Sequence, residues 1–470
     1  MHDERPGLYN CSASMPGLPT ISELAPRLRR KEISPVEIAR ECLLRIEQLN
    51  PQFNAFITEM TETALDEARA AEREIARGQW RGPLHGVPIA LKDLIDTAGV
   101  RTTAASARYK DRIPVQDAEV VRRLRQAGAV IVGKNNLHEC AYGGSSMISY
   151  FGEVRNPRDT TRIAGGSSGG SAASVVAGMA CAAIGTDTAG SVREPAALCG
   201  CVGLKPTHGR VSAQGVIPLS PSLDHVGPLA MCVADVAIVL QAIAGYDFND
   251  ITSIDLPVAD YPGSLREDIQ KLCVGVPRDY FCDELDPEVA ASFEDAVVEI
   301  RRLVSEVRDL RLEVPTDRTL QAAEAYAYHA EGLSRNEHLY CPETARRIRN
   351  GENVSATEYI ERRTDLQCAR RNIGETFSEV DLLLTATTPL PAPSIAELKA
   401  NPDELRPAEL KLLRNTRPFN VWGLPAISIP CGTTQAGLPI GLQIAAPHGR
   451  EDLVLRAAFA YEQKTGWKLR

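Results

Sequence analysis

Apolar residues recur at helical spacing through residues 20–80 and again through 287–380, while the chain between them switches to short apolar runs set among glycines. In the first stretch Ser34-Pro35-Val36-Glu37 reads as a capping box with proline at the first helical position. Val36, Ile38, Ala39, Cys42, Leu43 and Ile46 follow at the spacing of one helix face. Thr61–Arg77, rich in Ala, Glu and Arg, predicts an exposed helix. From Gly82 to about Gly245, the runs Pro88–Leu91, Ala129–Val132 and Ala182–Gly185 predict buried strands, with helical patterns at Ala118–Ala127 and Ser171–Ala180 between them. Pro287–Val304 and Ala356–Phe377 predict charged helices, and Asp381–Thr388 a strand. The tail predicts strands at Ala426–Pro430 and Gly441–Ala445 around a hairpin loop, Gly432–Pro439, then a closing helix at Arg450–Gln463. Alternation of short buried strands with helices predicts an α/β fold with helices on both faces of a central sheet. Without a long linker, and with strands toward both ends, residues 1–470 are expected to form a single domain. Within it, 82–245 is the core and 290–400 a helical lobe over the site.

Composition narrows the function classes. The 470 residues are 44% hydrophobic and 24% charged, ordinary for a globular enzyme. A net charge of −9 and the lack of any polybasic run argue against a nucleic-acid-binding surface. The apolar runs, such as Val233–Ala244, fall short of the ~20 residues of a membrane span. Met1–Ser14, with Asp3, Glu4, Arg5 and Pro6, lacks the layout of a secretory signal. A cytoplasmic protein that binds neither membrane nor nucleic acid is expected. Of the 12 cysteines, Cys42, Cys140, Cys181, Cys199, Cys201, Cys232, Cys273 and Cys431 lie in apolar segments and read as buried structural thiols. Cys199-Gly-Cys201 has neither zinc spacing nor a matching second pair, so neither metal nor other cofactor is expected.

Two glycine- and serine-rich segments carry the chemistry: Gly165-Gly166-Ser167-Ser168-Gly169-Gly170-Ser171 and Gly185-Thr186-Asp187-Thr188-Ala189-Gly190-Ser191. Such loops let the backbone come close to a ligand and present consecutive N–H groups to a developing oxyanion. A phosphate-binding loop would need a Gly-Lys-Ser/Thr ending, which neither segment has. A nucleophile elbow, Gly-x-Ser-x-Gly, fits Ser167 or Ser168. An elbow should follow a hydrophobic strand, however, and the residues before it, Asn156-Pro157-Arg158-Asp159-Thr160-Thr161-Arg162, are loop formers. A flexible surface loop would explain one such cluster but not two.

These segments, together with Gly86-Val87-Pro88-Ile89-Ala90-Leu91-Lys92-Asp93, Cys199–Pro206, Pro418–Pro430 and Gly437–Gln443, closely resemble the amidase signature family. The resemblance runs almost continuously from Gly86 to Leu229. It implies a mixed central sheet and a serine–cis-serine–lysine triad, with Ser191 as the acylated nucleophile, Ser167 as the proton bridge after a cis peptide bond, and Lys92 as the base. It further implies an oxyanion hole of the backbone N–H groups of Thr188, Ala189, Gly190 and Ser191. Ser168, Asp187 and Arg193 would support the loop, and Ala141 and Tyr142, within Cys140–Gly144, would line the substrate pocket. A lysine can act as base only when neutral, and burial after Val87–Leu91 would lower its pKa from about 10.4. Asp93 beside it would oppose this if the two paired. Ala189 departs from the family, where glycine is frequent. A competing histidine mechanism would use His208 or His225.

The family includes glutaminyl and glutamyl transfer-RNA amidotransferase subunits, fatty acid amide hydrolases and many broad amidases. The transfer-RNA subunits bind glutamine with help from an acidic residue before a Pro-x-Asn segment. Counting back from Pro418 and Asn420, the matching position is Leu413. The expectation is therefore an amidohydrolase of a small amide, anilide, carbamate or urea, working as a monomer or homo-oligomer. The alternatives are a serine esterase, a non-catalytic binding homologue and a glutamine-hydrolysing subunit of a transfer-RNA amidotransferase. Trp422 is a candidate for the pocket mouth or for the core, and His329, Tyr326 and Tyr328 are expected to be structural.

Overall fold

Strands with no polar face need cover on both sides, and the sheet at the centre of this protein is built from such strands. The computed structural model describes residues 17–467, so Met1–Ser14, read for targeting above, lies outside them. Eleven strands run in chain order as β1 (Phe56–Glu59), β2 (Pro88–Lys92), β3 (Val130–Asn135), β4 (Ala182–Asp187), β5 (Val202–Lys205), β6 (His225–Ala230), β7 (Cys273–Pro277), β8 (Glu306–Leu310), β9 (Leu382–Ala386), β10 (Ala426–Thr433) and β11 (Pro439–Ala445). They form one mixed sheet in the order β1-β3-β2-β4-β6-β5-β10-β11-β9-β7-β8. The β3-β2-β4 and β9-β7-β8 groups are parallel, and the remaining pairs are antiparallel. β2, β3, β4, β6 and β11 are buried along their whole length. The fold is α/β, with helices over both faces of the sheet.

Most predicted elements form near their expected bounds. The capping box exists: Ser34 accepts from Val36 N at 3.0 Å, Glu37 accepts from Ser34 N at 2.8 Å, and the helix runs Pro35–Phe53. The Thr61–Ala76 helix is exposed on one face only, because Ala64, Ala68, Ala71 and Ile75 are buried. The hairpin strands are longer than predicted, leaving residues 434–438 as the turn. Cys42, Cys140, Cys181, Cys199 and Cys201 are buried, whereas Cys232, Cys273 and Cys431 are only half-buried, contrary to expectation. No helix among the described residues is long and apolar enough to cross a membrane.

Strands β1, β5, β6, β7 and β8 had no counterpart in the apolar pattern. β6 shows why. It carries Gly227 and Pro228 in its middle, which read as a breaker. Yet Gly227 is required there, since a Cβ would sit 2.1 Å from Leu204 O. β8 is a half-exposed edge strand, Glu-Val-Arg-Asp-Leu, whose charges suit an edge and mask it as a strand.

Gly170 fixes the helix Gly169–Val176 against the sheet. Its N–H donates to Asn136 O at 3.1 Å, and a Cβ would lie 2.3 Å from Asn136 O and 2.6 Å from Ala55 O. Gly170→Ala gains about 1 kcal/mol of helix propensity but forces a backbone shift that typically costs about 1–3 kcal/mol. The expected result is net destabilisation, read as a lower urea midpoint at unchanged slope. A higher midpoint would show that the backbone there yields freely.

Candidate active site

The parallel register β2–β4 pairs Leu91 with Ile184, which brings the carboxyl ends of the two strands together. Lys92 ends β2 and Asp187 ends β4. Ligands of open α/β sheets bind outside the carboxyl ends of parallel strands, and the two glycine-rich segments gather here.

Lys92 is completely buried. Its Nζ lies 2.7 Å from Ser167 Oγ, 2.9 Å from Ser168 Oγ and 2.9 Å from Thr186 Oγ1. No carboxylate pairs with it among the described residues. Asp93 points elsewhere: it lies 3.2 Å from Lys134 Nζ and accepts from Thr103 N at 2.9 Å. Burial therefore dominates and pulls the Lys92 amine down to about 7, against the opposing charges of Asp187 and Asp224.

The Gly166–Ser167 peptide is cis. Gly166 N donates to Glu194 Oε2 at 2.7 Å, and Ser167 O accepts from His138 N at 3.1 Å and Ser146 Oγ at 3.3 Å. Ser168 N donates to Ser191 O at 3.2 Å, tying the two glycine-rich segments together.

The turn carrying Ser191 is organised by Asp187. Its carboxylate accepts from Gly190 N at 2.8 Å, Val192 N at 3.1 Å and Asn420 Nδ2 at 2.8 Å. Arg193 Nε and Nη2 add a fork at 3.0 and 2.8 Å. Burial alone would raise the Asp187 pKa, but Arg193, Lys205 and Asn420 outweigh it and bring it to about 2. The rest of the guanidinium donates to Thr416 O at 2.9 Å, Gln443 Oε1 at 2.7 Å and Asn420 Oδ1 at 2.6 Å. This corrects one expected detail. With φ at +137°, Gly190 turns its N–H to Asp187 and cannot offer it to an oxyanion. The N–H groups of Thr188, Ala189 and Ser191 have no acceptor among the described residues. Ala189 avoids left-handed backbone, so its methyl group is accommodated, and its carbonyl accepts from Thr416 Oγ1 at 2.7 Å.

Ala141 and Tyr142 lie buried next to this centre. Cys140 and Ala141 adopt left-handed backbone at φ 52° and 58°, which non-glycine residues reach at a cost. Tyr142 O accepts from Arg347 Nη1 at 2.7 Å, and Arg406 sits 5.8 Å from the centre of its ring. Leu413 closes the same region: Cβ atoms placed at Gly190 and Gly144 would meet its side chain at 3.0 and 3.2 Å. Trp422 belongs to the core, edge-on to Phe419 at 5.3 Å. His225 Nδ1 rests 2.6 Å from Leu223 O and His208 Nε2 3.1 Å from Pro221 O, and neither ring contacts a serine hydroxyl. Burial holds His208 down at about 3 and His225 well below the usual histidine range. His329 Nδ1 lies 3.3 Å from Tyr340 OH, Tyr326 OH donates to Glu352 at 3.1 Å, and the Tyr328 ring meets the His329 ring edge-on at 4.9 Å. Sequence reasoning missed Thr186, Ser146, Glu194, Asn420 and Gln443. Thr186, Asn420 and Gln443 stood inside segments already singled out, without these roles, and Ser146 and Glu194 stood outside them.

A mixed sheet with a buried lysine among serines on two glycine-rich turns is the arrangement of amidase-type enzymes. The chain belongs to the amidase signature family: the family model described as Amidase matches residues 37–455. It is 42% identical over 482 residues to a glutamyl-tRNA(Gln) amidotransferase subunit from Geotalea daltonii, covering 96% of this chain and 98% of that one. The solved structure of the corresponding glutamyl-tRNA(Gln) amidotransferase subunit from Thermotoga maritima is 34% identical, with a TM-score of 0.77 over 95% of this chain and 94% of its own. A 6-aminohexanoate cyclic dimer hydrolase in complex with substrate gives 31% identity and a TM-score of 0.87 over 96% and 98%.

These relatives correct two expectations. The independent hydrolase of a small amide, anilide, carbamate or urea is overturned by near full-length similarity to amidotransferase subunits, which outweighs the single departure at Leu413. The expected partners, a small-molecule substrate without nucleic acid and a monomer or homo-oligomer, fall with it. A net charge of −9 reports only this chain's own field. It is silent on a nucleic acid held by another subunit.

Arg193→Met is expected to leave the Asp187 carboxylate buried and unpaired. Breaking such a pair typically costs about 3–5 kcal/mol. Urea unfolding monitored by circular dichroism measures it, and a loss below about 1 kcal/mol would show that the pair does not hold the turn.

Proposed function

We propose that this chain releases ammonia from the side-chain amide of glutamine, as the glutaminase subunit of an amidotransferase acting on glutamate-charged transfer RNA. The observation that carries this reading is 42% identity spanning 98% of a curated amidotransferase subunit. In the proposed cycle neutral Lys92 takes the Ser167 proton while Ser167 takes that of Ser191. Ser191 Oγ attacks the carboxamide carbon, and the oxyanion rests on the free N–H groups of Thr188, Ala189 and Ser191. The relay then runs backward, and the nitrogen leaves as ammonia once protonated. Water enters by the same relay and hydrolyses the seryl ester to glutamate. The contacts of Lys92 with the hydroxyls of Ser167, Ser168 and Thr186 and its unpaired burial support these roles. An acidic chain makes contact with RNA the task of partner subunits, and a cytoplasmic setting follows from that reaction.

Purified chain, alone and with the remaining subunits of an amidotransferase, is expected to release ammonia from glutamine, and Ser191→Ala to abolish release. A fluorophosphonate should label Ser191. No ammonia under either condition, with Ser191 still labelled, would end the glutamine reading while leaving the nucleophile in place.

The base must be neutral in the free enzyme, and the Lys92 amine titrates at about 7. Activity is therefore low while the ammonium persists, and kcat/KM rises with pH through about 7 to a plateau. Lys92→Ala should remove the rising limb and about 10²–10⁴-fold or more of the rate, and Lys92→Arg should do no better because arginine stays protonated. A Lys92→Arg enzyme with wild-type kcat/KM would rule out lysine as the base.

A further inference from the structure

Leu413 supplies no charge to the site, but the segment around it does. A cavity of about 390 Å³ lies along the outer side of residues 407–417, lined by Tyr280, Pro315, Arg318, Leu410, Arg414 and Arg417. It is tied closely to the proposed catalytic turn. Thr416 Oγ1 donates to Ala189 O at 2.7 Å, and the next residue, Arg417, lines the cavity.

The cations of this cavity are not equivalent. Arg414 is paired with Glu284 at 3.0 Å and stacks 4.3 Å from the centre of the Tyr280 ring. Glu284, the acidic lining residue, also faces Lys411 at 3.6 Å, so it is already engaged. The Arg417 guanidinium donates only to the carbonyls of Pro315, at 3.2 Å, and Asp317. The Arg318 side chain makes no hydrogen bond or ion pair among the described residues. The Asp317 carboxylate accepts from Thr319 N at 2.9 Å and Thr319 Oγ1 at 3.2 Å, and acts on Arg417 through its field without forming an ion pair. Two guanidinium groups with no ion-pair partner among the described residues thus line one cavity. Burial and the charges of Arg417 and Arg406 bring Arg318 down to about 9, and burial, against Tyr280 and Asp317, brings Arg417 to about 10. Tyr142 and Arg406 also act electrostatically on Arg318.

Like charges are not held together in a cleft without a cost, and an anionic ligand removes it. We propose that Arg318, backed by Arg417, binds the carboxylate of the carboxamide substrate, and that the site selects amides by that carboxylate rather than by an α-ammonium group. A guanidinium presents a planar fork matched to a carboxylate, whereas nothing acidic at Leu413 or in the cavity is free to receive an ammonium. The inference rests on the reading of Ser191 as an amide-cleaving nucleophile and specifies its substrate class: carboxylate-bearing primary amides, of which glutamine is one.

The test compares kcat/KM for glutamine, glutaramate, which lacks the ammonium, and butyramide, which lacks both charges. Wild-type protein is expected to cleave glutaramate at least as well as glutamine and to disfavour butyramide. Arg318→Gln should lower the glutaramate-to-butyramide ratio by about 10–100-fold, mainly through KM, with Arg318→Lys in between. An unchanged ratio in the folded variant overturns the proposal. Cleavage of glutaramate without glutamine would sink the glutamine reading and uphold the subsite. Cleavage of glutamine with an unchanged ratio would do the reverse. If no amide is cleaved, glutarate is tested as a competitor of fluorophosphonate labelling at Ser191. Protection in wild type that is lost in Arg318→Gln supports the subsite, and absence of protection in wild type refutes it.

Discussion

Asp187 sits at the end of β4 with its carboxylate fully buried, and three separate requirements meet on it. It must stay ionised to hold Gly190 N, Val192 N and Asn420. It must not raise the pKa of Lys92 too far, because it is the largest influence on that amine opposing burial. It must also pay its own desolvation. Arg193 meets all three at once, since its fork keeps Asp187 ionised and offsets the field that Asp187 would otherwise exert on Lys92. The remaining guanidinium donors reach Thr416, Gln443 and Asn420, so one ion pair joins β4, β11 and the segment before β10.

This explains why a lysine can be buried among serines here. Isolated burial of an ammonium is expensive, and the usual outcome is neutralisation or pairing. The protein uses both outcomes on two neighbouring strands. Lys134, near the end of β3, is paired with Asp93 at 3.2 Å, whereas Lys92, at the end of β2, faces hydroxyls and carbonyls only. Placing Asp93 on the opposite side of the chain from Lys92 separates the two cations into a paired one and a free one. Parallel strands make this possible because their carboxyl ends lie side by side while successive side chains diverge.

How much of this could be read in advance depended on where each partner sits in the chain. Lys92, Ser167, Ser168 and Ser191 stand in contiguous glycine-rich or apolar segments, and their convergence was expected. The capping box at Ser34 and the buried runs of β2, β3 and β4 were legible because local pattern and tertiary burial agree there. β6 was not, since Pro228 and Gly227 break the local pattern while close packing on Leu204 demands it. The loss of the Gly190 N–H to Asp187 was also hidden, as it turns on one backbone angle. Asn420 and Gln443 lie more than 220 residues from Arg193 and nothing local marks them as its acceptors.

The same separation governs specificity. The proposed chemistry rests on residues 92–193, where glycine spacing and strand ends constrain the sequence strongly. The nearby cavity is lined by Tyr280, by Arg318 at the start of the helix Thr319–Asn336, and by side chains between 407 and 417. Unlike Thr416, which is bonded to Arg193 and Ala189, the lining side chains make no contact with Asp187 or Lys92, so their charge can change without disturbing either. Leu413 illustrates it: its side chain fills the space beside Gly190 and Gly144 by contact alone. A chain can therefore keep near full-length similarity to one group of enzymes while the charges that line its cavity are set independently of the residues around Asp187. Its substrate is then better argued from the unpaired cations that line the cleft than from any one matched or unmatched position.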